Sequence, residues 1–114
     1  MAMTFLEAIA RQEGFYAVGT RPNRNNNPGD IEFGEFARSH GATRSDGRFA
    51  IFDSAEDGFS AMRSLLVGAG YEYLTVEAAL NKWAPPVENA TNIYIEHVCE
   101  WVGCLPTDIV GTLL

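Results

Sequence analysis

The chain is poor in several things, and each shortage excludes something. It carries one lysine, Lys82, and two histidines, His40 and His97, among 114 residues. At a net charge of −7 it lacks the dense basic surface that phosphate backbones require, so no nucleic-acid partner is expected. Most arginines lie in the first half, among them Arg21, Arg24, Arg38, Arg44 and Arg48, which leaves a local basic patch open. No apolar run approaches the ~20 residues of a membrane span, so membrane insertion is not expected. No basic segment followed by an apolar one opens the chain, so no secretory signal is visible.

Cysteine is scarce as well. Cys99 and Cys104 stand five positions apart, and a disulfide between them requires Gly103 to turn the chain; the alternative adopted here is two buried thiols. Two cysteines and two distant histidines do not make a zinc pattern, and no metal or cofactor is expected. The serines show no nucleophile elbow, and there is no glycine loop of the Walker or dinucleotide type.

What is present is an ordinary globular composition, 46% hydrophobic and 20% charged, long enough for a core without disulfide staples. One domain over residues 1–114 is expected, without internal repeats and as a monomer. Thr4-Phe5-Leu6-Glu7 reads as a capping box opening a helix that runs to Glu13, with Gly14 as its stop. Leu6, Ile9, Ala10 and Glu13 share one face of that helix. Residues 17–30 read as a loop of Pro, Gly and Asn. Residues 31–36 alternate like a short strand, 41–47 are turn-rich, and 48–52 read as another strand. Ser54 and Thr75 are expected caps of the next two helices. The prolines after Ala84 stop the second of these, and a further helix starts at Asn89 or Ala90 with Ile93, Tyr94, Val98, Trp101 and Val102 on its apolar side. Thr107 is expected to cap a last short helix from Asp108. The fold class is α+β, mostly α, with a short β element.

Glu13 is the sharpest chemical feature. Burial and the negative end of a helix dipole both disfavour a charged carboxylate, which is what keeps a general acid protonated. The plainer alternative is a frayed last turn with Glu13 in water beside Arg11 or Arg24. Asn25-Asn26-Asn27-Pro28-Gly29-Asp30 is either a self-bonded turn or a set of amides facing a cleft, where each amide offers a donor and an acceptor to a sugar. Trp83 to Tyr94 is either punctuation and core, or a groove wall with Asn89 and Tyr94 reaching a ligand.

Taken together, "QEGF", "NNNPGDI", "GRFAIF", "DSAEDGFSAM" and "KWAPPVENATNIYIEHV" resemble compact, phage-associated lytic transglycosylase-like proteins of the lysozyme-like superfamily. The likeness runs from about Ala8 to about Gly103. It implies a small lysozyme-like fold with a substrate groove between the helices and a short β element. It also implies a catalytic acid at the end of the first helix, which by position is Glu13. Asn26, Asn27 and Asp30 would line the cleft, with Phe49 and Asn89 as further substrate contacts. Tyr94 resembles the family tyrosine that orients the glutamate or the leaving group. Many relatives carry an amide where this chain has Asp30.

The activity so implied is a peptidoglycan muramidase that cuts the β-1,4 bond between N-acetylmuramic acid and N-acetylglucosamine and leaves a 1,6-anhydro end. The alternatives are a hydrolytic lysozyme with Asp30 or Asp46 as second carboxylate, and a non-catalytic wall-binding or virion structural protein. The partner would be peptidoglycan glycan strands. The protein would act from the cytoplasm of an infected bacterium through a holin, or as part of a virion.

Overall fold

The computed structural model describes residues 2–114, and these are mostly helical with one two-stranded antiparallel sheet. The chain is therefore α+β, mostly α, as its patterning implies. The described residues fall into two units, residues 9–65 and residues 2–8 with 66–114.

Helix α1 (Phe5–Gln12) begins at the expected box. Glu7 N–H donates to the Thr4 hydroxyl (3.1 Å), and the Glu7 carboxylate accepts from Thr4 N–H (2.9 Å). Its end is a Schellman turn: Phe15 N–H bonds the Ala10 carbonyl and Gly14 N–H the Arg11 carbonyl, both at 3.0 Å. Gly14 has φ +87°, where a Cβ would be strained. Glu13 still donates its N–H to the Ile9 carbonyl (2.9 Å), so it is the last residue held by the helix ladder.

The 9–65 unit buries Ile9, Ala10, Ile31, Ala37, Ala42, Ala50, Phe52, Ala61 and Met62. Here the loop expected over residues 17–30 contains a short helix, α2 (Arg21–Arg24), capped by Thr20 with Pro22 in its first turn. The strand expected over 31–36 is not formed. Only Glu32 makes an isolated bridge, to Phe49, and the chain then enters helix α3 (Glu35–Ser39). The apolar residues that matter are Phe33, Phe36 and Ala37, spaced for a helical turn rather than for a pleat. The turn expected over 41–47 is mostly strand β1 (Ala42–Ser45), paired antiparallel with β2 (Ala50–Phe52). β1 buries only Ala42, so it shows no alternation a sequence reading could detect.

Helix α4 (Ala55–Gly68) starts where Ser54 accepts from Asp57 N–H (3.1 Å), as expected. In the other unit, Thr75 caps α5 (Val76–Trp83) by accepting from Ala78 N–H (3.1 Å). Helix α6 (Thr91–Val102) buries Tyr94, Ile95 and Val98, whereas Ile93, expected on the apolar side, is 51% exposed. The last helix is shorter than expected. It is a 3-10 turn, Val110–Leu113, because the Asp108 carboxylate accepts from Leu105 N–H and its carbonyl accepts from Val76 N–H. Residues 105–108 are thereby bound to the start of α5 instead of to a helix of their own. No described helix is long and apolar enough to cross a membrane.

Candidate functional site

The segment between α1 and β2 is fixed by side chains bonded to its own backbone. Thr20 Oγ1 donates to the carbonyls of Gly14 (2.8 Å) and Ala17 (3.0 Å) and also accepts from Asn23 N–H (3.3 Å). Asn23 Nδ2 donates to the Phe15 carbonyl (3.0 Å), and Arg24 reaches the Gly19 carbonyl (2.8 Å). These bonds tie the end of α1, where Glu13 lies half-buried, to the start of α2, which carries Arg21.

Arg21 is the residue that sequence reasoning missed. Its Nε donates to Asp30 Oδ1 (3.0 Å) and its Nη2 to Asp30 Oδ2, a two-point ion pair. Its guanidinium carbon lies 3.7 Å from the centre of the Phe49 ring, and that of Arg48 lies 4.8 Å from the same ring. The hydrogen bonds that Arg21 donates to Asp30 hold the guanidinium even more firmly protonated than usual. Burial is the next largest influence and opposes this, and the fields of Asp30, Asp46 and Glu13 add to it. One cation is thus within the electrostatic reach of all three carboxylates that the sequence singles out. Nothing in the pattern around Arg21 announces this role, since its partner lies nine residues away across a turn.

The amides of the "NNNPGD" block serve the fold. Asn27 is fully buried; its Nδ2 donates to the carbonyls of Ile31 (2.9 Å) and Ala50 (3.0 Å), and its Oδ1 accepts from Ile31 N–H (2.9 Å). The Asn27 amide, expected to face a ligand, is engaged in these bonds within the fold. The side chain adds to a backbone bond between the same segments, from Ala50 N–H to the Ile31 carbonyl (2.9 Å). Asn26, half-buried with φ +51°, donates to the Phe52 carbonyl (3.0 Å). Asn25 donates to Asp46 (2.9 Å), while its carbonyl accepts from Phe52 N–H (2.9 Å). Three consecutive asparagines thus bind β2 and the hairpin tip.

Asp46 is held at that tip. Its Oδ1 accepts from the N–H groups of Phe49 (2.7 Å) and Arg48 (3.1 Å) and its Oδ2 from Asn25. The backbone bond from Phe49 is the main reason its pKa falls from 3.8 to about 2, with Asn25 and Arg48 N–H next. Asp30 has φ +50°, and its side chain is 9% exposed against 45% for Arg21.

Among the residues expected to form the site, Asp30 and Phe49 meet at Arg21, within whose field Glu13 also lies. Asn89 and Tyr94 belong to the other unit. Tyr94 is buried, 4% exposed. Asn89 is exposed, donates to the Pro85 carbonyl (3.2 Å), and helps line a surface cavity of about 320 Å³ with Pro86, Thr91, Asn92 and Ile93. Among the described residues no group of three His, Cys, Asp or Glu side chains is placed to hold a metal ion.

The fold and this geometry define a mostly helical α+β protein with an arginine-centred cluster of carboxylates beside the end of its first helix. In comparisons with known proteins, no family model matches the chain, and no curated protein matches it either.

Proposed function

We propose that the protein is a peptidoglycan-degrading muramidase of the lytic transglycosylase type, a member of the lysozyme-like superfamily, with Glu13 as its acid and base. The sequence blocks quoted above support the family reading. The single observation that favours a transglycosylase over a hydrolase is the engagement of the other two carboxylates. Asp30 is paired at two points with Arg21, and Asp46 is held by two backbone N–H groups and Asn25. Held as a carboxylate by these bonds, Asp46 is a poor base for a water. A transglycosylase needs only one carboxylate.

In this reaction Glu13 protonates the glycosidic oxygen, and the bond from C1 of N-acetylmuramic acid to that oxygen breaks. The substrate's own N-acetyl group stabilises the cationic sugar centre. The ionised Glu13 then takes the proton of the C6 hydroxyl as its oxygen bonds to C1, which closes the 1,6-anhydro ring and restores the acid. On this reading Arg21, Asp30 and Phe49, which meet one another, are substrate contacts of the site that Glu13 serves.

Digestion of purified peptidoglycan by the wild type and by Glu13→Gln, followed by mass analysis of the fragments, tests the proposal. Anhydro-muropeptides from the wild type and none from Glu13→Gln are expected. Reducing ends would make the enzyme a hydrolase. Release of nothing by either protein, with binding to the wall retained, would make it a non-catalytic wall-binding protein.

A further inference from the structure

We infer that Cys99 and Cys104 form a dithiol site for thiol–disulfide exchange, one that small-molecule disulfides convert to an intramolecular bond. The inference is independent of the proposed activity. On an uninterrupted helix, side chains five positions apart point to different faces. Here α6 stops at Val102, and Gly103 adopts φ +80°, ψ +36°, which folds the chain back. Both Gly103 N–H (2.8 Å) and Cys104 N–H (3.1 Å) then bond the Cys99 carbonyl. That return turn is the one in which the residue after glycine packs on the last turn of the helix, and here both of those residues are cysteine. The two thiols are hydrogen-bonded to each other, unoxidised and only partly buried, so a reagent can reach them.

The chemistry balances without a further oxidant. The thiolate of one cysteine attacks the reagent disulfide, forms a mixed disulfide and expels one small thiolate. The second cysteine, once deprotonated, attacks the protein sulfur of that mixed disulfide and expels the other. Two protein thiols lose their protons, the reagent disulfide is reduced to two thiols, and one protein disulfide forms. Burial and the neighbouring sulfur push the Cys99 thiol up to about 12, and burial raises Cys104 as well. Exchange is therefore slow at neutral pH and accelerates in alkali, because the thiolate is the nucleophile. The bond would tie the end of α6 to residues 105–108, whose carbonyls at Pro106 and Asp108 accept from Glu77 and Val76 at the start of α5. Oxidation would thus brace α5 against α6.

The test treats the folded full chain with oxidised glutathione and follows intact mass and free thiols. The expected product is a monomer that has lost the mass of two hydrogen atoms, with no glutathione retained and no free thiol left. Gly103→Ala, which strains the left-handed turn, should close the bond roughly fivefold more slowly. Cys99→Ser should stop at a stable glutathione adduct on Cys104. Two retained glutathiones, a disulfide-linked dimer, unchanged thiols in alkali, or equal rates for the wild type and Gly103→Ala would each overturn the inference.

Discussion

Arg21 and Asp30 are joined at two points across the asparagine turn, and Asp30 holds its end of the pair with φ +50°. Asp30 lies nearly out of water while Arg21 is half exposed, so losing the arginine strands a carboxylate that solvent reaches poorly. A double-mutant cycle with Arg21→Ala and Asp30→Asn, read by urea denaturation, should give a coupling of about 1–2 kcal/mol, after allowing for the exposure of Arg21. A coupling near zero would show that the pair contributes nothing to holding the turn.

Asn27 offers a sharper test of whether its amide serves the fold or a ligand. Asn27→Ala removes three buried hydrogen bonds and takes from the Ile31 N–H the amide oxygen it donates to. A loss of about 3 kcal/mol in unfolding free energy is expected. A folded, fully stable Asn27→Ala protein with weakened wall binding would restore Asn27 to the substrate.

Gly58 tests the contact between α4 and the same turn. A Cβ at this position would lie 2.0 Å from the Asn26 carbonyl oxygen and 2.7 Å from Pro28 Cδ. Neither backbone nor a proline ring can yield cheaply, so Gly58→Ala should cost about 3 kcal/mol or prevent folding. Thermal unfolding followed by circular dichroism measures this, and an unchanged midpoint would mean that α4 does not pack on the turn so closely.

Asp46 should govern part of the acid response. Its folded pKa, about 2, lies below the ordinary 3.8, so its contribution is present above about pH 4 and is lost as pH falls toward 2. NMR titration should place the Asp46 midpoint near 2. Asp46→Asn should flatten the stability profile between pH 4 and 2 relative to the wild type, and parallel profiles would contradict the assignment.

Much of this architecture was legible because it depends on neighbours in sequence. Thr4 with Glu7, Ser54 with Asp57 and Thr75 with Ala78 are caps made within one turn of a helix, and each forms as its spacing implies. The same holds for Gly14, whose left-handed stop places Glu13 at the last rung of α1. The strand at 31–36 was misread because a few alternating residues satisfy either period, and packing of Phe36 and Ala37 settles the choice. β1 was missed because three of its four residues face water and its pairing with β2 is set from outside the segment.

The site divides along the same line. Sequence alone determined that Glu13 ends a helix on its apolar stripe and that an asparagine-rich turn follows, since both are local matters of period and backbone preference. Only the tertiary structure decided what those residues face. It turned Asn27 inward to β2, set Arg21 between Asp30 and Phe49, and brought Glu13 and Asp46 within the field of one guanidinium. Partners 8 to 28 residues apart meet only when the chain has closed its loops. No periodicity encodes such meetings, because their geometry is fixed by the packing of everything between them.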